Sequence, residues 1–182
     1  MNNYTPTLTL TQRLQHLSYA KLERELKPLC KWVDFNDYLW SYGTIDWKGK
    51  TVLDIGAEIG SSAMFFLMNG ADYIYLLEQD KEYKTTYEAI KPKYPLLKNS
   101  KMLNTIKEMP ANVDVIKMDC EGCELTLLTE ELLAKSKEFV VGLHKPELSD
   151  YSFEQKKKLL ERTGGKYFGN VNNGEYVWIK KT

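Results

Sequence analysis

Two short segments hold most of the residues able to do chemistry. In the first, Val52-Leu53-Asp54-Ile55-Gly56-Ala57-Glu58-Ile59-Gly60-Ser61, an apolar run enters a turn with two glycines and then a helical pattern. Such a turn lets backbone approach a ligand. Gly56 can take a conformation barred to residues with a Cβ, and Gly60 lets the helix start lie against the strand end. Glu78, followed by Gln79, closes the next apolar run, about 20 residues on, where an acid accepts hydrogen bonds from ribose hydroxyls. The second segment, Val113 to Glu124, reads VDVIKMDCEGCE and delivers Asp119 and Glu121 to a strand end beside Gly122. Burying two acids this close raises the pKa of one, which can then act as a base, bind hydroxyls or ligate a cation. The same acids could instead cap the following helix. His144 ends the run Val140-Val141-Gly142-Leu143, and an imidazole with a pKa near neutrality there could take a proton from an attacking hydroxyl.

Charge discriminates between cofactors. A dinucleotide's pyrophosphate would meet Glu58 where it wants amide donors, and like unit charges about 4 Å apart repel by roughly 4 kcal/mol at intermediate dielectric. S-adenosylmethionine instead presents a sulfonium and an ammonium, which an acidic loop suits. The expected cofactor contacts are Asp54, Gly56, Ala57, Glu58, Gly60, Ser61, Glu78, Gln79 and Asp119, and the expected catalytic set is His144, Asp119 and Glu121. Those last three could also hold a divalent cation that orients a diol. Cys120 and Cys123 have CxxC spacing without a second pair, so no zinc site is expected, and Cys120 reads as a small buried hydrophobe turned away from Asp119.

The two segments together resemble the FkbM family of methyltransferases, whose members carry a DIGANIG-like turn and a later KIDVEGxE-like stretch. This chain has DIGAEIG from Asp54 and KMDCEGCE from Lys117, and the resemblance covers roughly residues 48–182, including a following strand that ends in His. It implies a Rossmann-like class I fold and O-methylation of a hydroxyl on a sugar, glycan or other small acceptor. By resemblance, Asp54, Gly56 and Gly60 hold the methionine part of the cofactor and Glu78 the ribose. Glu58 stands where Asn is common. An N-methyltransferase or nucleic-acid methyltransferase, an NAD(P)-dependent oxidoreductase and a non-catalytic cofactor-binding interaction module are the competing readings.

The elements that must position these residues follow from periodicity. Apolar runs at Thr51 to Ile55, Tyr73 to Leu77, Val113 to Met118 and Phe139 to Leu143 alternate with helical patterns at Ser61 to Met68, Lys81 to Ile90 and Glu124 to Ala134. That is the form of a mostly parallel sheet covered on both faces. Leu125, Leu128 and Leu132 are expected to face inward. A weak strand at Met102 to Ile106, a helix opened by Ser152 with Gln155, and a closing hairpin of Tyr167 to Val171 and Glu175 to Lys180 complete the domain, residues 48–182. Residues 1–47 read as a helical extension packed on it. Leu14, Leu17, Leu22 and Leu26 recur at helical spacing before Pro28.

At 182 residues the chain has room for one substantial core. Lys plus Arg equal Asp plus Glu at 25 each, so charge gives no support to a nucleic-acid partner. No run approaches the roughly 18 apolar residues of a membrane span, and three cysteines make no disulfide framework. No membrane association and a cytoplasmic location are the resulting expectations.

Overall fold

The computed structural model describes residues 10–145, 149–171 and 174–182, with side chains described from Leu17 onward except Val171. Asn172 and Asn173 of the expected hairpin loop lie outside the described residues. The elements run α1 (Leu10–Leu26), α2 (Phe35–Tyr42), β1 (Thr51–Ile55), α3 (Ser61–Met68), β2 (Tyr73–Leu77), α4 (Lys81–Ile90), β3 (Ser100–Leu103) and β4 (Val113–Met118). The second half has α5 (Glu124–Leu127), α6 (Glu130–Leu133), β5 (Ser136–His144), α7 (Asp150–Arg162), β6 (Lys166–Val171) and β7 (Glu175–Lys180).

The strands form one seven-stranded sheet in the order β3-β2-β1-β4-β5-β7-β6. The first five are parallel, and β7 runs antiparallel to both β5 and β6. The chain therefore has the Rossmann-like α/β architecture with a C-terminal antiparallel hairpin. Helices α1 to α4 pack on one face around Val52, Ile74, Val115 and Val140, while α5 to α7 cover the other around Leu53, Ile116, Phe139 and Val141. This double coverage explains why β1 and β4 read as largely apolar runs rather than alternating ones. Sequence order reverses between β1 and β4, so the parallel strands on either side of that seam open a crevice at their carboxyl ends.

The extension joins the same core. Leu26, Phe35, Tyr42 and Trp47 are buried with Phe65 and Phe66 of α3, and the Trp47 ring stacks on Phe66 at 4.2 Å between centroids. Leu17 is exposed, because the inward face of α1 runs through Tyr19, Leu22 and Leu26 instead. Asp34 caps α2 by accepting the Asn36 and Asp37 amides, which fixes the helix that walls the crevice.

Several local expectations are corrected. The helix expected over Glu124 to Ala134 is two four-residue turns, α5 and α6, because Thr129 interrupts it as an N-cap that accepts the Leu132 amide. Leu125 is exposed, while Leu128 and Leu132 are buried as expected. The helix after β5 opens at Asp150, capped by Ser149 through the Ser152 amide, so Ser152 receives the cap rather than supplying it. β3 lies at Ser100–Leu103, two residues before the expected start.

Candidate active site

A cavity of about 950 Å³ opens at the carboxyl ends of β1, β2, β4 and β5, at the upper end of the range for small-molecule sites. Its walls include Tyr38 and Tyr42 of α2, Asn104 to Ile106 after β3, and Glu175 at the start of β7. Gly56, Glu58, Glu78, Gln79, Asp119, Glu121 and His144 line it, whereas Asp54, Ala57, Gly60 and Ser61 lie behind its surface. The expected contacts thus divide into a lining and a support.

The support is an ion pair inside the sheet. Asp54 is fully buried, with Lys117 Nζ at 2.9 Å and the Ser62 hydroxyl donating at 2.6 Å. Lys117 also donates to the Gly56 carbonyl at 2.8 Å, tying β4 to the glycine turn. Burial lifts the Asp54 carboxyl above its ordinary value against the pull of Lys117. Burial also penalises the Lys117 ammonium, but Asp54 and Asp119 more than reverse this and hold it above its ordinary value. Asp54 is therefore engaged within the protein and does not line the cavity, where the sequence had placed it as a contact. Ser61 is likewise occupied, 2.8 Å from the Tyr38 hydroxyl.

In the lining, Glu78 holds the turn. Its Oε1 accepts the Gln79 and Asp80 amides at 2.7 and 2.8 Å, and its Oε2 accepts the Glu58 amide at 2.9 Å. A carboxylate offers about four lone-pair sites, so three amides leave room for roughly one further donor. Glu58 has φ 48°, in the left-handed region that Asn tolerates better than Glu, which gives a physical reason for Asn at this place in the FkbM pattern.

The Glu58 side chain accepts from the Cys30 thiol at 3.2 Å. Burial, with Asp119 and Glu78 nearby, pushes the Glu58 carboxyl up to about 7, and burial beside Glu58 pushes the Cys30 thiol up to about 12. Unfolded, Glu58 ionises near 4.5; folded, it resists until about 7. An acid raised on folding costs stability progressively as pH climbs between those two values, and the cost is complete above the upper one. Glu58→Gln should therefore be more stable than the parent at pH 8, by about 1–2 kcal/mol after allowance for partial solvent screening. At pH 4 the difference should vanish. Thermal melts at the two pH values check this; a parent that melts above the variant at pH 8 contradicts it.

His144 sits between two carboxylates. Its Nδ1 lies 2.8 Å from Glu124 Oε1 and its Nε2 3.4 Å from Asp119 Oδ1. Burial alone would lower its pKa, but the hydrogen bond to Glu124 and the charges of Asp119, Glu124 and Glu175 raise it to about 9. The imidazole is thus protonated at neutral pH, not poised there as a free base, which corrects the expectation. The Tyr42 hydroxyl donates to Asp119 Oδ2 at 2.9 Å. Glu175 stands across from His144 in the β5–β7 register, and burial with Asp119 pushes its carboxyl to about 8.

Glu121 is exposed, with φ 49°, and the carboxylate that reaches His144 is Glu124, fully buried at the start of α5. The pairing expected of Asp119 with Glu121 is replaced by Asp119 with Glu175. Cys120 is not an isolated hydrophobe: it forms a disulfide with Cys123 across a Cα separation of 5.5 Å, which the positive φ of Glu121 and Gly122 makes possible. Lys117, Tyr42, Glu124 and Glu175 were missed from the sequence. A lysine within VDVIKM was a usable signal, since a charge inside a doubly covered strand needs a partner. Glu175 carried no local signal, because only the antiparallel pairing of β7 brings it in.

No family model matches the chain. Among solved structures, an O-methyltransferase from Bacillus cereus in complex with S-adenosylhomocysteine superposes with TM-score 0.66 at 11% identity, covering 97% of this chain and 91% of that one. A SAM-dependent methyltransferase from Aquifex aeolicus gives TM-score 0.56 at 19% identity over 90% of this chain and 97% of its own. These neighbours show the Rossmann-like methyltransferase fold. Among the described residues no helix is long and apolar enough to cross a membrane. By sequence, uncharacterized protein 158B of Sulfolobus islandicus rod-shaped virus 1 is 30% identical over 160 residues, 83% of this chain and 92% of that protein. Uncharacterized protein 65 of Sulfolobus islandicus filamentous virus (isolate Iceland/Hveragerdi) is 36% identical over 149 residues, 81% of this chain and 90% of its own length, and the chain belongs to the family of that viral protein.

Proposed function

We propose that this protein is an S-adenosylmethionine-dependent methyltransferase acting on a hydroxyl of a sugar, glycan or other small acceptor, as the FkbM-like motifs imply. The observation that carries the reading is the crowding of carboxyls around one cavity: Glu58 and Glu175 are both pushed toward neutrality by burial and by their acidic neighbours. A cationic ligand relieves that crowding, and a pyrophosphate aggravates it.

Bound there, the cofactor would supply an electrophilic methyl group. Glu78 would accept a ribose hydroxyl at its remaining lone pair, and the Gly56 turn would let the methionine portion lie against backbone. Asp119, held by Tyr42 on one oxygen and with His144 beside the other, would accept the hydrogen bond of the acceptor hydroxyl and take up its proton when that oxygen receives the methyl group, the carbon–sulfur bond of the donor breaking to leave S-adenosylhomocysteine. His144 acts through Asp119 as a positioning residue. Holding the acceptor oxygen in line is the larger part of the catalysis. Helix α2 would cover the cavity and exclude water.

Calorimetry with S-adenosylmethionine, S-adenosylhomocysteine and NAD tests the donor, and transfer of labelled methyl groups to sugars, amines and RNA tests the acceptor. Heat with the first two and none with NAD supports the reading; heat with NAD alone overturns it. Glu78→Gln should weaken S-adenosylhomocysteine about 10- to 100-fold, the worth of one hydrogen bond to a charged group. His144→Ala should spare that affinity and lower turnover.

A further inference from the structure

Three side chains in the cavity converge as the ligands of a metal would. Asp119 follows β4, His144 ends β5 and Glu175 opens β7, so three neighbouring strands place them. His144 and Glu175 are direct cross-strand partners. Gly142, two residues before His144 on β5, leaves the space that Glu175 crosses: a Cβ there would lie 2.2 Å from Glu175 Oε1. One ligand atom from each of the three residues lies within 4.8 Å of the others. Atoms sharing a cation at about 2.1 Å can be at most about 4.2 Å apart, so side-chain movements of about half an ångström close the set.

A second, independent observation is the outer layer. A metal-binding imidazole almost always gives its other ring N–H to a carboxylate or carbonyl, which fixes the ring and aims the free nitrogen at the ion. Glu124 fills that place: it is fully buried, takes His144 Nδ1 at 2.8 Å, and is itself held by the Gly122 amide at 2.7 Å. Tyr42 does the same for Asp119 Oδ2. The Nε2 of His144 is left facing Asp119 at 3.4 Å, a poor hydrogen bond and a suitable separation for two ligands of one ion, and a cation that binds there takes the place of the Nε2 proton, which is released to solvent.

We infer that Asp119, His144 and Glu175 form a binding site for a first-row divalent cation such as Mn2+, with Glu124 and Tyr42 as its orienting partners. One imidazole with two carboxylates matches a transition ion better than Ca2+ or Mg2+. Three protein ligands leave open positions toward the cavity, where two adjacent oxygens of an acceptor can bind. The site stands on the side chains alone; its role toward an acceptor rests on the methyl-transfer reading above.

Mn2+ titration of the full chain, followed by the electron paramagnetic resonance of free Mn2+, tests the site without any cofactor present. One equivalent should bind, and pulsed resonance should show nitrogen coupling that His144→Gln abolishes. Glu175→Gln, close in shape to the parent, should weaken binding more than about 10-fold, and Glu124→Gln about 10- to 100-fold. Glu154→Gln on the exposed face of α7 should change nothing, and circular dichroism confirms that each variant folds. Absence of bound Mn2+, binding without nitrogen coupling, or binding indifferent to Glu175→Gln overturns the inference. Calorimetry with S-adenosylhomocysteine is read separately: Mn2+ bound without it leaves the metal site standing and removes the methyl donor, and the reverse result removes only the metal.

Discussion

Lys117→Met should lower stability by about 3–5 kcal/mol, the cost of stranding one partner of a buried ion pair. Asp54 is fully buried and its neighbours offer only the Ser62 hydroxyl in place of the ammonium. The variant must either bury an uncompensated charge or protonate Asp54. Thermal unfolding should then fall by roughly 10 °C or more for a domain of this size. Lowering the pH should shrink the difference, since protonating Asp54 removes the stranded charge. Combining Lys117→Met with Asp54→Leu should recover much of the loss, because replacing both partners by apolar groups is often near neutral. A Lys117→Met protein that melts with the parent at pH 7 would show that the pair does not hold β1 and β4 together.

That ion pair also shows why the sequence was only partly legible. Strands β1, β2 and β4 were found at their observed bounds, because a doubly covered strand is dominated by apolar residues, and the charges it does hold, Asp54 and Lys117, are paired with each other. The glycine turn and Glu78 were legible for a similar reason: their spacing encodes backbone geometry that few other residues can adopt. Short elements were harder. α5 and α6 look like one amphipathic helix until Thr129 is recognised as a cap that restarts the chain.

The acids divide along the same line. Asp119 and His144 line the cavity because one follows β4 and the other ends β5, and strand ends point at the crevice. Which carboxylate would meet His144 depended on backbone conformation after Gly122: the left-handed Glu121 turns outward and the first residue of α5, Glu124, turns inward. Nothing in the spacing CEGCE decides between them. Glu175 depends on a strand pairing about thirty residues from His144, and pairing partners are set by the sheet as a whole.

The sequence suggested an evenly acidic crevice, yet Asp54 is neutralised by Lys117 and His144 carries a proton between Asp119 and Glu124. Glu58, Glu78, Asp119, Glu121 and Glu175 line the cavity, and burial, reinforced by acidic neighbours, pushes the Glu58 and Glu175 carboxyls up.

Gly56→Ala should abolish ligand binding and cost about 3–5 kcal/mol, from two sources that can be separated. The first is conformational: Gly56 has φ 75°, and a left-handed residue with a Cβ costs about 1–2 kcal/mol. The second is steric: the new Cβ would sit 1.9 Å from the Asp119 carbonyl oxygen and 2.8 Å from Cys120 Cα. Both are backbone, so relief requires the ends of β1 and β4 to separate, which adds a further few kcal/mol of overpacking strain. Gly49 supplies the control, since its φ is 72° and a Cβ there meets nothing within 4 Å. Gly49→Ala should therefore show the conformational cost alone and leave binding unchanged. Urea unfolding of both variants, with calorimetry against S-adenosylhomocysteine, measures the difference. Equal losses in the two would mean that the Gly56 turn does not need its close approach to Asp119, and the distance from that turn to the Asp119 carboxylate would not be fixed by that contact.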